Sequence, residues 1–164
     1  HLSTFYRTTL NKGHNFIRLA DEWKNTTSYL EIQKMLHSSS FEVYTHVDES
    51  LLNQNVINLL IQPLAENAIL HGLDYRDEND TSEKYIDITI CSKDDKLLII
   101  VKDNGCGMDV ETLESITTTE TKGYGIRNVD QRIKLFFGEE YGISYESETG
   151  VGTTATITLP IVNQ

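Results

Sequence analysis

The nearly continuous apolar run at residues 96–102 constrains the fold of this 164-residue chain more than any other feature of its sequence. Such a run is typical of a central strand that is covered on both of its faces. The preceding segment, residues 85–91, alternates apolar and polar side chains and places Ile86, Ile88 and Ile90 on one face. Together the two segments predict neighbouring strands at the centre of a sheet.

The rest of the chain shows the periodicities of three more strands and three helices. The predicted strands are residues 41–47, 143–148 and 153–159, the last two joined by a turn at residues 149–152. The predicted helices are residues 53–72, 109–116 and 126–137, with a helix-prone segment at residues 1–40 and a polar loop at residues 117–124. This order predicts an α+β fold, a two-layer α/β sandwich whose mixed, mostly antiparallel sheet carries its helices on one face.

The first 40 residues are polar and helix-prone, and the apolar side chains of residues 19–36 do not form one clean stripe. We interpret residues 1–40 as a helical arm whose partner surface is partly missing, and residues 41–164 as the main domain. For the second half of the arm, a helix that packs on its own domain is an equally good interpretation.

The charge of the chain excludes one class of function. With 25 acidic and 14 basic residues, the net charge of −11 argues against a broad basic surface for nucleic acid or anionic lipid. Phosphate groups must instead be held locally, by backbone N–H groups, a helix N-terminus or a metal ion. Cys91 and Cys106 fit no metal or redox spacing, which favours a reducing cytoplasm.

The length of its apolar runs indicates whether a chain can cross a membrane. No apolar run approaches the roughly 20 residues of a transmembrane helix, so we do not expect this part of the protein to contact a membrane. The chain begins at His1 rather than Met, as a piece of a longer protein would, and the parent protein could be membrane-bound.

The predicted helix at residues 53–72 carries polar side chains on its buried stripe. Asn67 and His71 lie close to the direction of Leu60, so both point towards the edge of the core. A carboxamide facing a cleft can offer its oxygen to a hydrated Mg²⁺ ion. An Asn satisfied by neighbouring backbone and a packed His is the open alternative. Glu66 either binds a metal-ligated water or faces solvent.

A carboxylate follows the central strand. Asp103 lies in phase with the apolar face of residues 96–102, where an ionised group is costly unless donors reach it. An adenine amino group is such a donor, and Gly105 and Gly107 let the backbone approach a flat ring closely. The alternative is an Asn-Gly hairpin turn, which the helical character of the next segment disfavours.

Two more glycine pairs stand beside regular elements. Gly123 and Gly125 come directly before an amphipathic helix, where exposed N–H groups form an anion site, and Lys122 and Arg127 add positive charge. The segment Gly150-Val-Gly-Thr-Thr154, taken alone, is more typical of a hairpin turn than of a binding site.

In their order these segments resemble the motifs of the ATPase superfamily that includes gyrase, heat-shock chaperones, histidine kinases and mismatch-repair proteins. The similar segments are Gln62-Pro-Leu-Ala-Glu-Asn-Ala-Ile-Leu-His-Gly72 (N box), Asp103-Asn-Gly-Cys-Gly-Met108 (G1 box), Gly123-Tyr-Gly-Ile-Arg-Asn128 (G2 box) and Gly150-Val-Gly-Thr-Thr154 (Gly-Thr motif). Within this superfamily, Tyr29-Leu-Glu-Ile-Gln33, Gln62-Pro63 and Arg132 resemble the YesM/LytS-like sensor histidine kinases.

The resemblance implies a Bergerat fold that binds ATP and Mg²⁺. It implies that Asn67 ligates Mg²⁺, that Asp103 recognises the adenine amino group and that residues 122–128 belong to a lid over ATP. The full set of implied site residues, with Glu66 and Asn67 in the catalytic role, is Glu66, Asn67, His71, Asp103, Gly105, Gly107, Met108, Lys122, Gly123, Tyr124, Gly125, Ile126, Arg127, Thr153 and Thr154.

The resemblance also implies partners. The γ-phosphate would pass to a histidine on the protein's own dimerisation domain, in a homodimer of the full-length protein, and then to a response regulator. Residues 1–40 would be the end of that dimerisation region. No histidine of this chain lies in the Asn-Pro-His-Phe type of motif that carries the acceptor in the family. The expected location is the cytoplasmic side of a membrane sensor.

Two rival functions are distinguished by single residues. Leu70 stands where relatives commonly have a phosphate-contacting Lys, which supports a degenerate nucleotide-binding or scaffolding module without kinase activity. A true ATPase of the gyrase or mismatch-repair kind carries a Glu one helical turn before the N-box Asn. Pro63 occupies that position here, which disfavours the ATPase.

Overall fold

A computed structural model describes residues 16–118 and 124–162 of the chain. Its helices and strands are, in chain order, β1 (Phe16–Arg18), α1 (Leu19–Leu36), β2 (Glu42–Val47), β3 (Asn55–Ile57), α2 (Ile61–Asn67), β4 (Tyr85–Lys93), β5 (Lys96–Asp103), α3 (Val110–Thr118), α4 (Tyr124–Phe137), β6 (Gly142–Glu148) and β7 (Gly152–Pro160). Short helical turns of other types cover Glu49–Leu51, Ala68–Gly72 and Leu73–Tyr75.

Five strands form the main sheet in the order β2-β4-β5-β7-β6. Strands β2 and β4 are parallel, and every other neighbouring pair is antiparallel. Alternate residues of the central strands share one core with the helices, where Ile88 and Ile99 meet Leu64 and Ile133. The predicted mixed, mostly antiparallel sheet with helices packed on it is therefore confirmed.

The central strand differs from its prediction. Along β5 buried and half-buried side chains alternate, so Leu97, Ile99 and Val101 are buried while Leu98 and Ile100 remain half-buried. The apolar run therefore does not reflect a strand fully covered on both faces. Among the described residues the helices pack on one face of the sheet, and on the other, partly open face Leu98 and Ile100 lie between polar neighbours such as Thr89 and Thr156.

The helix expected at residues 53–72 was wrong in its first part. Asn55–Ile57 is strand β3, Leu59 has a left-handed backbone (φ 59°), and helix α2 begins at Ile61. Pro63 explains the late start, because a proline ring clashes with the carbonyl four residues earlier and fits only the first turn of a helix. After Asn67 the helix widens into a π-helical turn at Ala68–Gly72.

A two-stranded sheet that the sequence did not predict ties the start of α1 to the domain. Strand β1 pairs antiparallel with β3. The first N–H groups of α1 then donate to this same region, Leu19 N–H to Gln54 O at 2.8 Å and Ala20 N–H to Leu52 O at 2.9 Å. The helix N-terminus therefore finds the backbone acceptors that it needs.

Helix α1 occupies only part of the predicted helical arm, since Phe16–Arg18 is a strand, and it packs beside α2. Leu19, Thr26 and Leu30 are buried, whereas Met35 and Leu36 on its last turn are exposed. Its end is held by His37, whose Nε2 lies 3.1 Å from Asp74 Oδ1. The described contacts therefore place both ends of α1 against the domain.

The bounds of α3 and α4 differ from the predicted ones by a few residues. Helix α3 runs to Thr118, and α4 starts at Tyr124 rather than at residue 126, so both helices take residues from the polar loop predicted at 117–124. Val129 and Ile133 of α4 are buried as expected. Among the described residues, none of the helices has the length and apolar composition that crossing a bilayer requires.

Candidate functional site

A cavity of about 510 Å³ opens between helix α2 with its π-helical turn and the sheet. Cavities of a few hundred Å³ are typical of sites for small molecules and cofactors. The floor comes from β5, β6 and β7, and α3 borders one side. The lining residues are Leu64, Asn67, Ala68, His71, Gly72, Val101, Asp103, Gly107, Met108, Thr112, Ser115, Tyr145, Thr153 and Ala155.

Asp103 is the acidic residue of this cavity. It ends β5 with only 5% of its surface exposed, and its carboxylate accepts from the backbone N–H groups of Gly105, at 2.8 Å, and Thr153. Burial raises the pKa of Asp103 to about 6, although these two hydrogen bonds act to lower it. A buried carboxylate with spare acceptor capacity at the wall of an apolar cavity is suited to receive a donor from a ligand.

Two glycines allow the loop after β5 to touch the turn after α2. A Cβ atom on Gly105 would lie 2.2 Å from the carbonyl carbon of Gly72, so no side chain fits there. This close approach lets Cys106 N–H donate to Gly72 O at 3.0 Å. A Cβ atom on Gly72 would likewise lie 2.9 Å from Asp103 Oδ1. The carboxylate is thus packed against bare backbone.

The hairpin of β6 and β7 braces the same loop from the other side. Gly107 has φ 68°, and a Cβ atom there would lie 2.0 Å from Glu148 O. Gly150 N–H donates to Cys106 O at 2.7 Å, and Met108 N–H donates to Ser147 Oγ at 2.8 Å. The Gly-Thr motif therefore forms the predicted turn and also fixes the loop that carries Gly107.

The start of α2 is held by a residue that the sequence analysis missed. Glu22 of α1 is only 1% exposed, and its carboxylate accepts from three consecutive backbone N–H groups. These belong to Leu59, Leu60 and Ile61, at 3.0, 2.8 and 3.0 Å. Carboxylates are stabilising at helix N-termini because they pair with unsatisfied N–H groups and the positive end of the helix dipole.

A second side chain holds the same turn from α4. The guanidinium of Arg132, through Nη2, donates to Asn58 O at 2.7 Å. Burial lowers the pKa of Arg132, and the nearby carboxylate of Glu22 opposes that change. The chain just before Ile61 is therefore clamped by α1 and by α4, which fixes the helix that brings Asn67 to the cavity.

Most predicted site residues outside the G2 box meet in one place. Asn67, His71, Asp103, Gly107, Met108 and Thr153 line the cavity. Gly105 lies behind them and supplies an N–H group to Asp103. Among the described residues, no group of three or more His, Cys, Asp or Glu side chains is placed to hold a metal ion.

Besides Gly105, two more predicted residues do not line the cavity. The carboxylate of Glu66 is partly buried and accepts from Gln62 Nε2 at 3.1 Å on its own helix. Thr154 follows Thr153 along β7, and alternation sends its side chain to the other face of the sheet.

Much of the G2 box lies outside the residues that the structure describes. Lys122 and Gly123 are outside the described residues, and so are the side chains of Tyr124, Ile126 and Arg127. The backbone from Tyr124 onwards belongs to α4, so Gly125 falls within the first helical turn rather than in a loop before the helix.

Several lining residues were not predicted from sequence. Leu64 and Val101 were assigned to the core, and Gly72 was quoted only as the end of a motif. Thr112 and Tyr145 carried no assignment. Tyr145 lies two residues after the inward-facing Ile143, so the alternation along the strand could have predicted that its side chain also faces inward.

Comparison with known families and proteins adds independent information. Residues 53–163 match the family described as Histidine kinase-, DNA gyrase B-, and HSP90-like ATPase. The chain is 32% identical to the sensor histidine kinase BtsS of Escherichia coli (strain K12) over 161 residues, 98% of this chain and 27% of that protein. It is also 32% identical to the sensor histidine kinase YesM of Bacillus subtilis (strain 168) over 163 residues, 99% of this chain and 27% of that protein.

A third relative and a solved structure agree with these matches. The sensor protein LytS of Staphylococcus epidermidis (strain ATCC 35984) is 30% identical over an alignment of 165 positions that covers 97% of this chain and 27% of that protein. The histidine kinase domain from the Erythrobacter litoralis EL346 blue-light activated histidine kinase has a similar fold, with a TM-score of 0.63. That likeness covers 88% of this chain and 62% of the other at 16% identity. The chain therefore spans about a quarter of the length of its curated relatives.

The matched family region contains the whole floor and helical wall of the cavity. It includes Asn67 and Asp103, together with the glycines that pack around the carboxylate. The similar solved fold agrees with the predicted α/β sandwich. The chain belongs to the Histidine kinase-, DNA gyrase B-, and HSP90-like ATPase family, and its matched region is an ATP-binding domain.

Proposed function

We propose that this chain is the ATP-binding catalytic domain of a two-component sensor histidine kinase. It holds ATP so that the γ-phosphate is presented to a histidine on the protein's dimerisation domain, from which a response regulator receives it. The observation that carries the proposal is the pairing of the buried Asp103 carboxylate with an apolar cavity of nucleoside size, walled by Asn67 and His71. The named sensor kinases among the relatives support the same assignment.

In this proposal the protein works by positioning. Asp103 accepts the adenine amino group, Gly105 and Gly107 keep the wall beside the base free of side chains, and Thr153 holds the adenine end of the floor. Orienting the γ-phosphate and stabilising its charge account for most catalysis of phosphoryl transfer, since the attacking atom comes from the acceptor histidine.

The residues that are present fit a Mg²⁺ ion bound together with ATP. Asn67 lines the cavity and offers a hard carboxamide oxygen, and Mg²⁺ in proteins commonly takes one or two such ligands and completes its shell with phosphate oxygens and water. The ion would neutralise phosphate charge in a chain whose net charge of −11 repels anions. Glu66 and His71 belong to the surroundings of this site in the proposal.

Calorimetric titration of the chain with ATP tests the proposal. We expect saturable binding that strengthens when Mg²⁺ is added, because Asn67 and the phosphates share the ion. Asn67→Ala is expected to weaken binding about fivefold with Mg²⁺, roughly 1 kcal/mol, and to change it little without the ion. Asn53→Ala, at an exposed asparagine, is the matched control. Absence of ATP binding by the unaltered chain would refute the proposal.

The affinity for ATP is expected to depend on pH through Asp103. Its pKa of about 6 lies above the ordinary value for Asp, so the carboxylate gains a proton as the pH falls through about 6 and loses acceptor capacity. From about pH 7 to about pH 5.5 the ionised fraction falls about fourfold, and we expect ATP affinity to fall in proportion. Titrations across this range measure the effect, and Asp103→Asn should abolish this part of the pH dependence.

Kinase activity needs a longer protein than this chain. We propose that residues 1–40 are the end of the dimerisation region, that the full-length protein is a homodimer, and that this domain lies on the cytoplasmic side of a membrane sensor. Labelled ATP supplied to the whole cytoplasmic part should yield acid-labile phosphohistidine. Nucleotide binding without that product would instead favour the scaffolding module, for which Leu70, 43% exposed where relatives commonly have Lys, is the supporting observation.

A further inference from the structure

His37, just after the end of α1, makes a contact that the proposed function leaves without a role. Its Nε2 atom lies 3.1 Å from Asp74 Oδ1, and its Nδ1 atom lies 2.9 Å from Gln33 O on its own helix. A carboxylate and a carbonyl oxygen are both acceptors, so the imidazole holds Asp74 as a donor. The ring also packs edge-on against Phe41, with the ring centroids 5.9 Å apart. The imidazole therefore reaches Asp74 from a defined position.

Asp74 lies in residues 72–75, here named the Gly72 turn, which ends the helical wall of the cavity. Gly72 O accepts from Cys106 N–H at 3.0 Å, and a Cβ atom on Gly72 would lie 2.9 Å from Asp103 Oδ1. Asp74 is thus two residues away from backbone that touches the carboxylate proposed to receive the adenine amino group. Protein interiors contain few voids, so a shift of this turn is passed on to the groups packed against it.

Helix α1 holds the helical wall of the cavity at both ends. Glu22 binds the N–H groups where α2 begins, and His37 binds Asp74 beyond its end. Tyr29 lies between these two anchors along α1. Burial raises the pKa of Tyr29 to about 12, and the negative charges of Glu66 and Asp74 add to the rise, which places this tyrosine beside the last part of the wall. The position of α1 therefore bears on the position of the wall along its whole length.

We propose that His37 is a positioning residue for base recognition, which acts through Asp74 to hold the Gly72 turn against the Asp103 carboxylate. This inference rests on the proposed function, because it concerns the affinity and the selectivity of the same cavity for adenine. It gives the end of α1 a role beyond stability. In the longer protein, a movement of this end of α1 would change how well the base is recognised.

Two substitutions of His37 isolate the contact with Asp74. His37→Phe removes the donor but keeps a ring beside Phe41, whereas His37→Gln keeps an N–H donor that can reach the carboxylate. Both variants lose the contact with Gln33 O, so their difference reports on Asp74 alone. We expect ATP to bind His37→Phe about two- to fivefold more weakly, the size of a partly exposed ion-pair contact, and His37→Gln to stay within about twofold of the unaltered chain.

Base selectivity separates positioning from stability. Inosine triphosphate carries a 6-oxo group in place of the amino group of adenine, so it lacks the group that Asp103 is proposed to bind. We expect the preference for ATP over inosine triphosphate to fall in His37→Phe by about the factor by which ATP affinity falls, about two- to fivefold. A purely structural role would lower the thermal midpoint and weaken both nucleotides equally, leaving the preference unchanged. Calorimetric titrations with the two nucleotides measure the ratio.

A second histidine–aspartate pair provides the matched control. His46 Nε2 lies 3.4 Å from Asp87 Oδ2 between β2 and β4, outside the cavity lining, so His46→Phe should leave both affinities unchanged. Asp74→Ala should reproduce the His37→Phe loss, and the two together should lose nothing further, because they remove the same contact. An unchanged ATP preference in both His37→Phe and Asp74→Ala would overturn the inference. If the unaltered chain binds no ATP, the proposed function itself fails.

Discussion

Glu22→Ala is expected to lower the free energy of unfolding by about 3 kcal/mol or more, although Glu22 lies on α1, outside the cavity. The carboxylate accepts the N–H groups of Leu60 and Ile61, both in a buried setting, and that of Leu59. Removing it leaves these N–H donors without a hydrogen-bond partner where water cannot reach them. Each buried donor left unpaired lowers the stability by roughly 1–3 kcal/mol. For a domain of this size the thermal midpoint should fall by about 6–12 °C.

The Glu22→Ala substitution should also weaken nucleotide binding. Helix α2 begins at Ile61 and carries Asn67 into the cavity, so freeing its first turn loosens the helical wall of the site. We therefore expect ATP affinity to decrease in Glu22→Ala even at temperatures where the chain is folded. Calorimetric titration measures this once thermal unfolding has fixed the working range.

Two variants on the same helix provide the comparison. Glu31→Ala removes an exposed carboxylate of α1 and should change stability by less than about 0.5 kcal/mol. Glu22→Gln keeps the shape and one acceptor oxygen but turns an amide nitrogen towards a backbone N–H group, so its loss should be intermediate. Equal stability of Glu22→Ala and Glu31→Ala would show that the Glu22 contacts contribute nothing.

Glu22 also illustrates what the sequence alone does not reveal. Its partners are 37 to 39 residues away along the chain, and the pairing of β1 with β3 spans a similar distance. No local pattern encodes such contacts. A weak signal did exist, since Glu22 lies in phase with Leu19, Thr26 and Leu30 on the buried side of α1. A charged residue on a buried stripe calls for an unusual partner.

The predicted site residues that the structure brings to the cavity are carried by regular elements. Asp103 continues the phase of Leu97, Ile99 and Val101, so the two-residue period of a strand determines where it points. Asn67 follows from Leu60 and Leu64 by helical spacing, even though the helix begins later than predicted. The wrong start had a local cause that was readable, namely Pro63. The burial of the Tyr145 hydroxyl without a hydrogen-bond partner among the described residues, in contrast, depends on what surrounds it in three dimensions.

Asp103→Asn is expected to weaken ATP binding at least about tenfold at neutral pH, since a hydrogen bond to a charged acceptor contributes about 1.5–3 kcal/mol. The substitution should leave the fold in place. It removes a carboxylate whose burial raises its pKa to about 6, and this gain offsets the loss of an acceptor for the Gly105 or Thr153 N–H group. Thermal unfolding of the ligand-free variant checks that the affinity change does not come from unfolding.

The control for Asp103→Asn lies on the same loop. Asp109 is exposed and its Oδ1 accepts the N–H group of Thr112 at 2.7 Å near the start of α3. Asparagine serves this capping role about as well as aspartate, so Asp109→Asn should retain both stability and ATP affinity. A loss of affinity in this control would point to a general effect of loop charge rather than to recognition of the base.

Exchanging the base of the nucleotide tests whether Asp103 recognises the amino group of adenine. Inosine triphosphate differs from ATP in carrying a 6-oxo group in place of the amino group, so in the unaltered chain it turns an acceptor towards the Asp103 carboxylate. Two facing acceptors repel, and we expect the unaltered chain to bind ATP at least about tenfold more tightly than inosine triphosphate. In Asp103→Asn the amide offers both an acceptor and a donor, so this preference should shrink or reverse. If the preference for ATP persists in the variant, the carboxylate does not read the amino group, and Asp103 serves only to hold the Gly105 turn against Gly72.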